Sequence, residues 1–184
     1  MMAFIFDFDG TLADSRECGL IATREAFFNL DLTVPSDETI TYYMGIPIEQ
    51  SFQEMALEPL NETDFDELLK LFRILYKEYE GQYVKLFDGI PEVLAQLSEI
   101  DDCFVASSKH SRVLLRNLDT LGIQPFFKDV VSADMVTYYK PHPESIFVLQ
   151  ERHQFPLHRA VMIGDATFDL QMGKSAGIRT CAVT

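Results

Sequence analysis

Short apolar runs recur along the chain, and segments with helical spacing separate them. Ala3 to Phe6 is the first run; Cys103 to Ala106, Val130-Val131, Ala160 to Ile163 and Arg179 to Val183 follow. Bounded by turn residues, such runs fit strands buried on both faces of a parallel sheet. Pro91 opens one intervening helix, with Val93, Leu94 and Leu97 on one face, because proline suits a helix's first turn. A second is predicted from near Ser108, carrying Leu114, Leu118 and Leu121 and stopping at Gly122. A third follows Pro143 with Ile146 and Leu149, and a fourth runs from about Phe168 to Ala176 and stops at Gly177. Strand and helix in alternation predict an open, doubly wound α/β sheet.

One region breaks the alternation. From Ser15 to Val84 no strand pattern is present. Leu20, Thr23, Phe27 and Leu30 fall at helical spacing, and Ser36 and Thr63 are candidate N-caps. Leu68, Leu69, Phe72, Leu75, Tyr76 and Tyr79 form the apolar stripe of a long amphipathic helix. The stretch is too long for a crossover between adjacent strands. It predicts an all-helical insert over 15–84, with 1–14 and 85–184 forming the α/β core.

Composition narrows the partners. Hydrophobic residues make up 47% of the chain and charged residues 24%, a globular balance that excludes a disordered polymer. Against 15 Lys plus Arg stand 29 Asp plus Glu, a formal charge of -14. That field repels nucleic acid and an anionic membrane surface, so an anionic substrate needs a metal ion or local cations. Cys18, Cys103 and Cys181 are dispersed and odd in number, which gives neither a zinc spacing nor a disulfide framework. A reducing cytoplasmic setting is expected. No apolar stretch approaches membrane-span length, and the opening apolar residues meet Asp7 too soon for a signal peptide.

The candidate chemistry gathers after the predicted strands. Asp7-Phe8-Asp9-Gly10-Thr11-Leu12 follows the first, which places two carboxylates at the carboxyl end of the sheet, where open α/β folds bind ligands. Carboxylates this close favour a bound cation or a shared proton; the alternative is a solvated turn. Gly164-Asp165 and Asp169 follow the strand ending at Ile163. Carboxylates converging on one edge, with backbone oxygens, suit a hard cation such as Mg²⁺. Ser107-Ser108-Lys109 follows the strand ending at Ala106 and offers hydroxyls and amides to an oxyanion, or a plain serine cap. Lys140, in Tyr139-Lys140-Pro141-His142-Pro143, is either a solvated charge or a cation held beside the carboxylates.

These motifs, in this order, resemble those of the haloacid dehalogenase superfamily, in its phosphoglycolate phosphatase and β-phosphoglucomutase branch, over essentially the whole chain. Asp7 through Ser15 is similar to the first motif, Ser107 to the second, Lys140 in Lys-Pro-His-Pro to the third, and Gly164-Asp165 with Asp169 to the fourth. The resemblance implies a Rossmann-like core with a helical cap. It implies that Asp7 is the nucleophile, carried through an aspartyl-phosphate, and that Asp9 is the general acid and base. Asp7, Phe8, Asp9, Ser107, Ser108 and Lys140 would surround the phosphoryl group. Mg²⁺ would be held by Asp7, the Asp9 carbonyl, Asp165 and Asp169. An acid at Asp9 sets phosphoryl-transfer members apart from dehalogenases, whose halide needs no proton. Gly45-Ile46-Pro47 resembles the cap's specificity loop, the alternative being a plain interhelical turn, and Ile48 stands where the mutases carry an arginine for a second phosphate.

The expected function is therefore an Mg²⁺-dependent phosphatase for a small phosphorylated metabolite. A sugar phosphomutase, a phospho-acceptor signalling module and a non-catalytic binder are the competing readings. A signalling receiver places its acceptor Asp after the third strand and has no helical insert after the first. A pure binder has no need of Asp7, Asp9, Lys140 and Asp165 together. The chain ends at Thr184, straight after the fifth predicted strand, where members of the resembling family usually continue.

Overall fold

Ala3–Phe6 forms β1, the central strand of a five-stranded sheet, in the computed structural model, which describes residues 1–184. Alternate β1 residues Ala3 and Ile5 are fully buried, Phe6 is buried, and Phe8 two residues on is fully buried. Such a run cannot sit at a solvated edge. The partners of β1 are β4 (Asp102–Ala106) and β6 (Ala160–Gly164), both parallel, with Ile5 opposite Phe104 on one side and Met162 on the other. Outside them lie β5 (Asp129–Val131) and β7 (Arg179–Ala182), giving the order β5-β4-β1-β6-β7. The chain builds one half of the sheet, then crosses β1 to build the other, so the carboxyl end of β1 is the topological switch point.

Helices connect the strands. Ile90–Ile100 (α5) precedes β4, Ser111–Thr120 (α6) precedes β5, Glu144–His153 (α7) precedes β6, and Thr167–Ser175 (α8) precedes β7. Ile146 and Leu149 of α7 and Met172 and Ala176 at α8 join Ile5, Phe104 and Met162 in one buried cluster. Burying each such side chain is worth about 1.5–3 kcal/mol relative to exposure, so the sheet and these two helices hold each other in register.

The chain divides into two compact units, Met1–Ala13 with Leu86–Thr184, and Asp14–Lys85. It leaves the first at the two-residue strand Ala13–Asp14 (β2) and returns at Lys85–Leu86 (β3). The second unit is helical: Arg16–Asn29 (α1), Asp37–Tyr42 (α2), Ile48–Met55 (α3) and Glu62–Tyr83 (α4). Phe27 of α1, Phe52 of α3 and Phe72 of α4 are buried, with Phe52 edge-on to both others at centroid distances of 5.7 and 5.0 Å. Such pairs prefer edge-to-face contact. No helix is long and apolar enough to cross a membrane.

Three local expectations shift. The helix expected near Ser108 begins at Ser111, because residues 107–110 are tied as a loop. The Ser107 hydroxyl accepts the Lys109 amide at 3.2 Å, and the Lys109 carbonyl accepts the Ala133 amide at 3.0 Å. Asn61, rather than Thr63, caps α4, its side chain accepting the Asp64 amide at 2.9 Å. Either type is a good cap, so composition alone could not choose. Val93 is exposed, because α5 turns Leu94 inward and Leu97 only partly.

Candidate active site

β1 ends by donating the Asp7 amide to the Ile163 carbonyl of β6 at 2.9 Å. The chain then leaves the ladder. Phe8 stays fully buried, and its carbonyl accepts the amides of Leu12 and Ala13 at 3.0 Å each. This tight turn needs Gly10 at φ 79°, a left-handed conformation that glycine adopts without penalty. Gly10 is needed for space as well. A Cβ there would fall 2.3 Å from Asp165 Oδ2. Gly164 makes the same room for Asp169, with a virtual Cβ 2.4 Å from its carboxylate. The two glycines let two acidic side chains lie against bare backbone.

Asp7, Asp165 and Asp169 thereby converge, each offering an oxygen within 4.8 Å of the others. Asp169 is buried near the start of α8, where its second oxygen takes the Ala166 amide at 3.1 Å. Asp165 is held by Thr11: the Thr11 hydroxyl donates to Oδ1 and accepts the Asp165 amide, both at 3.1 Å. Thr11 carried no expected role. Its signal was only its place after Asp-Gly, and the partner lies 154 residues away.

Lys140 enters this cluster from the loop after β5. Its Nζ lies 2.5 Å from Asp7 and 2.7 Å from Asp169, with only 6% of the side chain exposed. Burial lowers its pKa, but Asp7 and Asp169 outweigh that and hold it above the usual lysine range. Burial raises Asp7 to about 7; Lys140 opposes the shift, while Asp169 and Asp9 add to it. Three carboxylates thus share one ammonium. The missing positive charge must come from a proton or from a cation.

The fit to a cation is good. The donors are carboxylate oxygens, which Mg²⁺ prefers, and the glycine-walled cradle holds them together where side chains would force them apart. Asp9 contributes no side chain to this group. Its carboxylate pairs with Lys109 Nζ at 2.9 Å, and that ammonium stands 5.6 Å from the Phe8 ring centroid.

Ser107 and Ser108 stand at the end of β4. Ser107 is buried, and its amide is used by the Val131 carbonyl at 2.9 Å. The Ser107 amide therefore lies in the sheet, and the Lys109 amide is held by the Ser107 hydroxyl. The Ser108 hydroxyl is buried and makes no hydrogen bond within the protein. Phe8 offers only backbone, its ring being fully buried. Gly45, Ile46 and Pro47 lie in the helical unit: Gly45 has φ 91°, the Ile46 amide returns to the Tyr43 carbonyl at 3.2 Å, and buried Pro47 caps α3.

The family model for haloacid dehalogenase-like hydrolases matches residues 4–183. The pyrophosphatase PpaX of Bacillus velezensis is 29% identical over 185 residues, covering 98% of this chain and 82% of that protein. A haloacid dehalogenase-like hydrolase from Streptococcus pneumoniae is 28% identical, with a TM-score of 0.85 over 100% of this chain and 85% of that one. A protein from Haemophilus somnus described as a predicted phosphoglycolate phosphatase shares the fold, with a TM-score of 0.91 at 21% identity over 99% of this chain and 84% of that one. With the parallel sheet, the acidic cluster at its switch point and a match over nearly the whole length, the chain belongs to the haloacid dehalogenase-like hydrolase family and is an enzyme of that family.

Proposed function

We propose that the protein is an Mg²⁺-dependent phosphatase that hydrolyses a small phosphomonoester through an aspartyl-phosphate on Asp7. The observation that carries the reading is the position of Asp7: a buried carboxylate at the end of the central strand, paired with Lys140 and grouped with Asp165 and Asp169. The Bacillus velezensis relative at 29% identity is named a pyrophosphatase, which supports phosphoryl transfer to water. The unit formed by residues 1–13 and 86–184 is the catalytic core in this reading, and residues 14–85 are the cap.

The chemistry follows from the residues. An Asp7 carboxylate oxygen attacks phosphorus and the bond to the leaving oxygen breaks, with Asp9 giving that oxygen its proton. Asp9 then takes a proton from water as the water oxygen attacks phosphorus. The bond to Asp7 breaks, phosphate leaves, and both side chains return to their starting states. Lys140 neutralises charge on Asp7 and on the phosphoryl oxygens, and Ser107 and Ser108 supply hydroxyls to the latter. Asp7, Asp165, Asp169 and the Asp9 carbonyl would hold Mg²⁺, which would supply further positive charge to the phosphoryl oxygens, most of what this transfer requires.

Substrate choice is assigned to the cap, with the turn Gly45-Ile46-Pro47 as its candidate determinant. Ile48 opens α3 with an apolar side chain, so it offers no charge to a second phosphate, and this favours phosphatase over mutase.

The test is Asp7→Asn, assayed for p-nitrophenyl phosphate hydrolysis alongside circular dichroism. The amide is nearly isosteric and cannot attack phosphorus, so activity disappears while the fold persists. A folded variant that keeps most of its activity rejects the assignment. A panel of pyrophosphate, phosphoglycolate, β-glucose 1-phosphate and its bisphosphate, with Mg²⁺ and with EDTA, then names the substrate class and separates hydrolysis from phosphomutase turnover.

A further inference from the structure

Lys140 reaches Asp7 and Asp169 from a loop, not from a helix or strand. A lysine on an irregular segment is costly to hold still unless its backbone is fixed. Part of the fixing is internal. The His142 amide donates to the Tyr139 carbonyl at 2.9 Å, and the Tyr138 and His142 rings lie 4.7 Å apart. The rest comes from Glu144, the first residue of α7. Both of its carboxylate oxygens accept the Thr137 amide, at 3.1 Å each, and Oε2 accepts the Tyr138 amide at 2.7 Å.

A carboxylate on two successive amides is a charge-assisted clamp, stronger than a neutral hydrogen bond. It joins the segment just before Lys140 to the helix just after it, closing the loop into a ring. The bland role for a glutamate at this place is to complement the helix dipole. That role is met by a side chain in solvent and gives no reason for the carboxylate to turn back onto two loop amides. The Glu144 carboxylate bonds to the loop amides and not to Asp7, Asp165 or Asp169, so its effect on chemistry must pass through the loop.

We propose that Glu144 is a positioning residue: by holding the Thr137 and Tyr138 amides it fixes the loop that aims Lys140 between Asp7 and Asp169. The inference rests on the role given to Lys140 above. Lys140 counts most when charge grows on the phosphoryl group, so a loosened clamp lowers kcat and leaves KM nearly unchanged.

The experiment compares wild type, Glu144→Ala, Glu144→Gln and Lys140→Ala as full chains. Two quantities are read: kcat and KM for p-nitrophenyl phosphate with Mg²⁺, and the reactivity of each lysine toward limiting acetic anhydride, mapped by mass spectrometry. Misplacing a catalytic group by a small distance costs about 10- to 100-fold in rate, and Glu144→Ala is expected to lose kcat in that range. Lys140 should become several-fold more reactive in Glu144→Ala while Lys70 and Lys128 keep their wild-type rates. Glu144→Gln retains an acceptor oxygen and should fall between the two on both readouts. Should Glu144→Ala fail to fold, Glu144→Gln carries the test, with kcat below wild type and Lys140 more reactive. Wild-type kcat in the folded variants overturns the inference. So does a rate loss with Lys140 reactivity unchanged, or with all lysines exposed together. Wild-type activity in Lys140→Ala would instead reject the role given to Lys140, and the lysine reactivities, which need no turnover, would still report the clamp.

Discussion

At the scale of single residues, backbone space matters as much as side-chain chemistry. Gly10 combines a left-handed φ with a wall of Asp165 carboxylate against its α-carbon. Gly10→Ala therefore meets two penalties. The conformation alone costs about 1–2 kcal/mol for an L-residue, and the new methyl displaces Asp165. The expected result is a modest fall in melting temperature with a much larger fall in activity, measured on the same sample. Equal activity in the two proteins would mean that Asp165 is not needed where it stands. Asp134 makes a different argument. Burial acts to raise its carboxyl, but the Ser111 hydroxyl and amide and the Ser132 hydroxyl outweigh it and bring the pKa down to about 2 from 3.8. A depressed acid stabilises the fold above its unfolded pKa and loses that contribution as pH falls through the folded one. Stability from Asp134 should fade between about pH 4 and pH 2. Urea unfolding across that window should show a shallower acid loss in Asp134→Asn, together with lower stability at pH 7.

At the scale of elements, the turn joining α2 to α3 shows how a motif can be legible while its purpose stays open. Gly-Ile-Pro reads as a turn from sequence, and φ 91° at Gly45 explains the glycine without any substrate, since a Cβ there would touch nothing. Gly45→Val is strained by its backbone rather than by crowding, and should lower the melting temperature by the equivalent of about 1–2 kcal/mol. If the turn also selects substrate, kcat/KM should fall further for the natural substrate than for acetyl phosphate, which draws little on remote binding energy. Equal losses on both would leave Gly45 a turn residue and place selectivity elsewhere in the helical unit.

At the scale of the whole molecule, the acidic chain carries part of its imbalance into the site. The net charge is -14, and the switch point of the sheet adds three carboxylates around a single lysine. A cation that binds only the folded state raises the melting temperature with its concentration, so Mg²⁺ should stabilise this protein and EDTA should abolish both the rise and the activity. Ca²⁺ tolerates more ligands and could engage both oxygens of Asp7; it should stabilise the fold yet inhibit. Full activity in excess EDTA would refute the metal's role. The pH dependence has a definite sign. Without metal, Asp7 holds its proton to about pH 7 in the folded state against 3.8 unfolded. Its contribution to stability is then present at acid pH and is lost as pH rises through 7. With Mg²⁺ the order reverses, because the metal needs the ionised carboxylate. The metal-induced rise in melting temperature should be larger at about pH 8 than at about pH 6.

The sequence alone pointed to the five strands of the main sheet, the four core helices, the all-helical character of 15–84 and the carboxylates and lysine that the structure groups together; the two short strands Ala13–Asp14 and Lys85–Leu86 it did not show. These are local signals: period, turn residues, and carboxylates set directly after apolar runs. It could not fix the start of α6, because the residues after Ser107 obey Ala133 and Asp134 across the next strand rather than their own propensity. Nor could it show that Asp9 faces Lys109 while Asp7 faces Lys140, since two lysines and two carboxylates admit either pairing until the sheet sets their positions. Thr11 on Asp165 and Glu144 on the Lys140 loop were invisible for the same reason: an ordinary threonine and an ordinary glutamate acquire a role only from the groups that folding brings opposite them. Spacing along a chain names the groups that carry charge. Which oxygen meets which nitrogen is decided by the register of parallel strands, and here that register brings residues 7, 140, 165 and 169 to one edge.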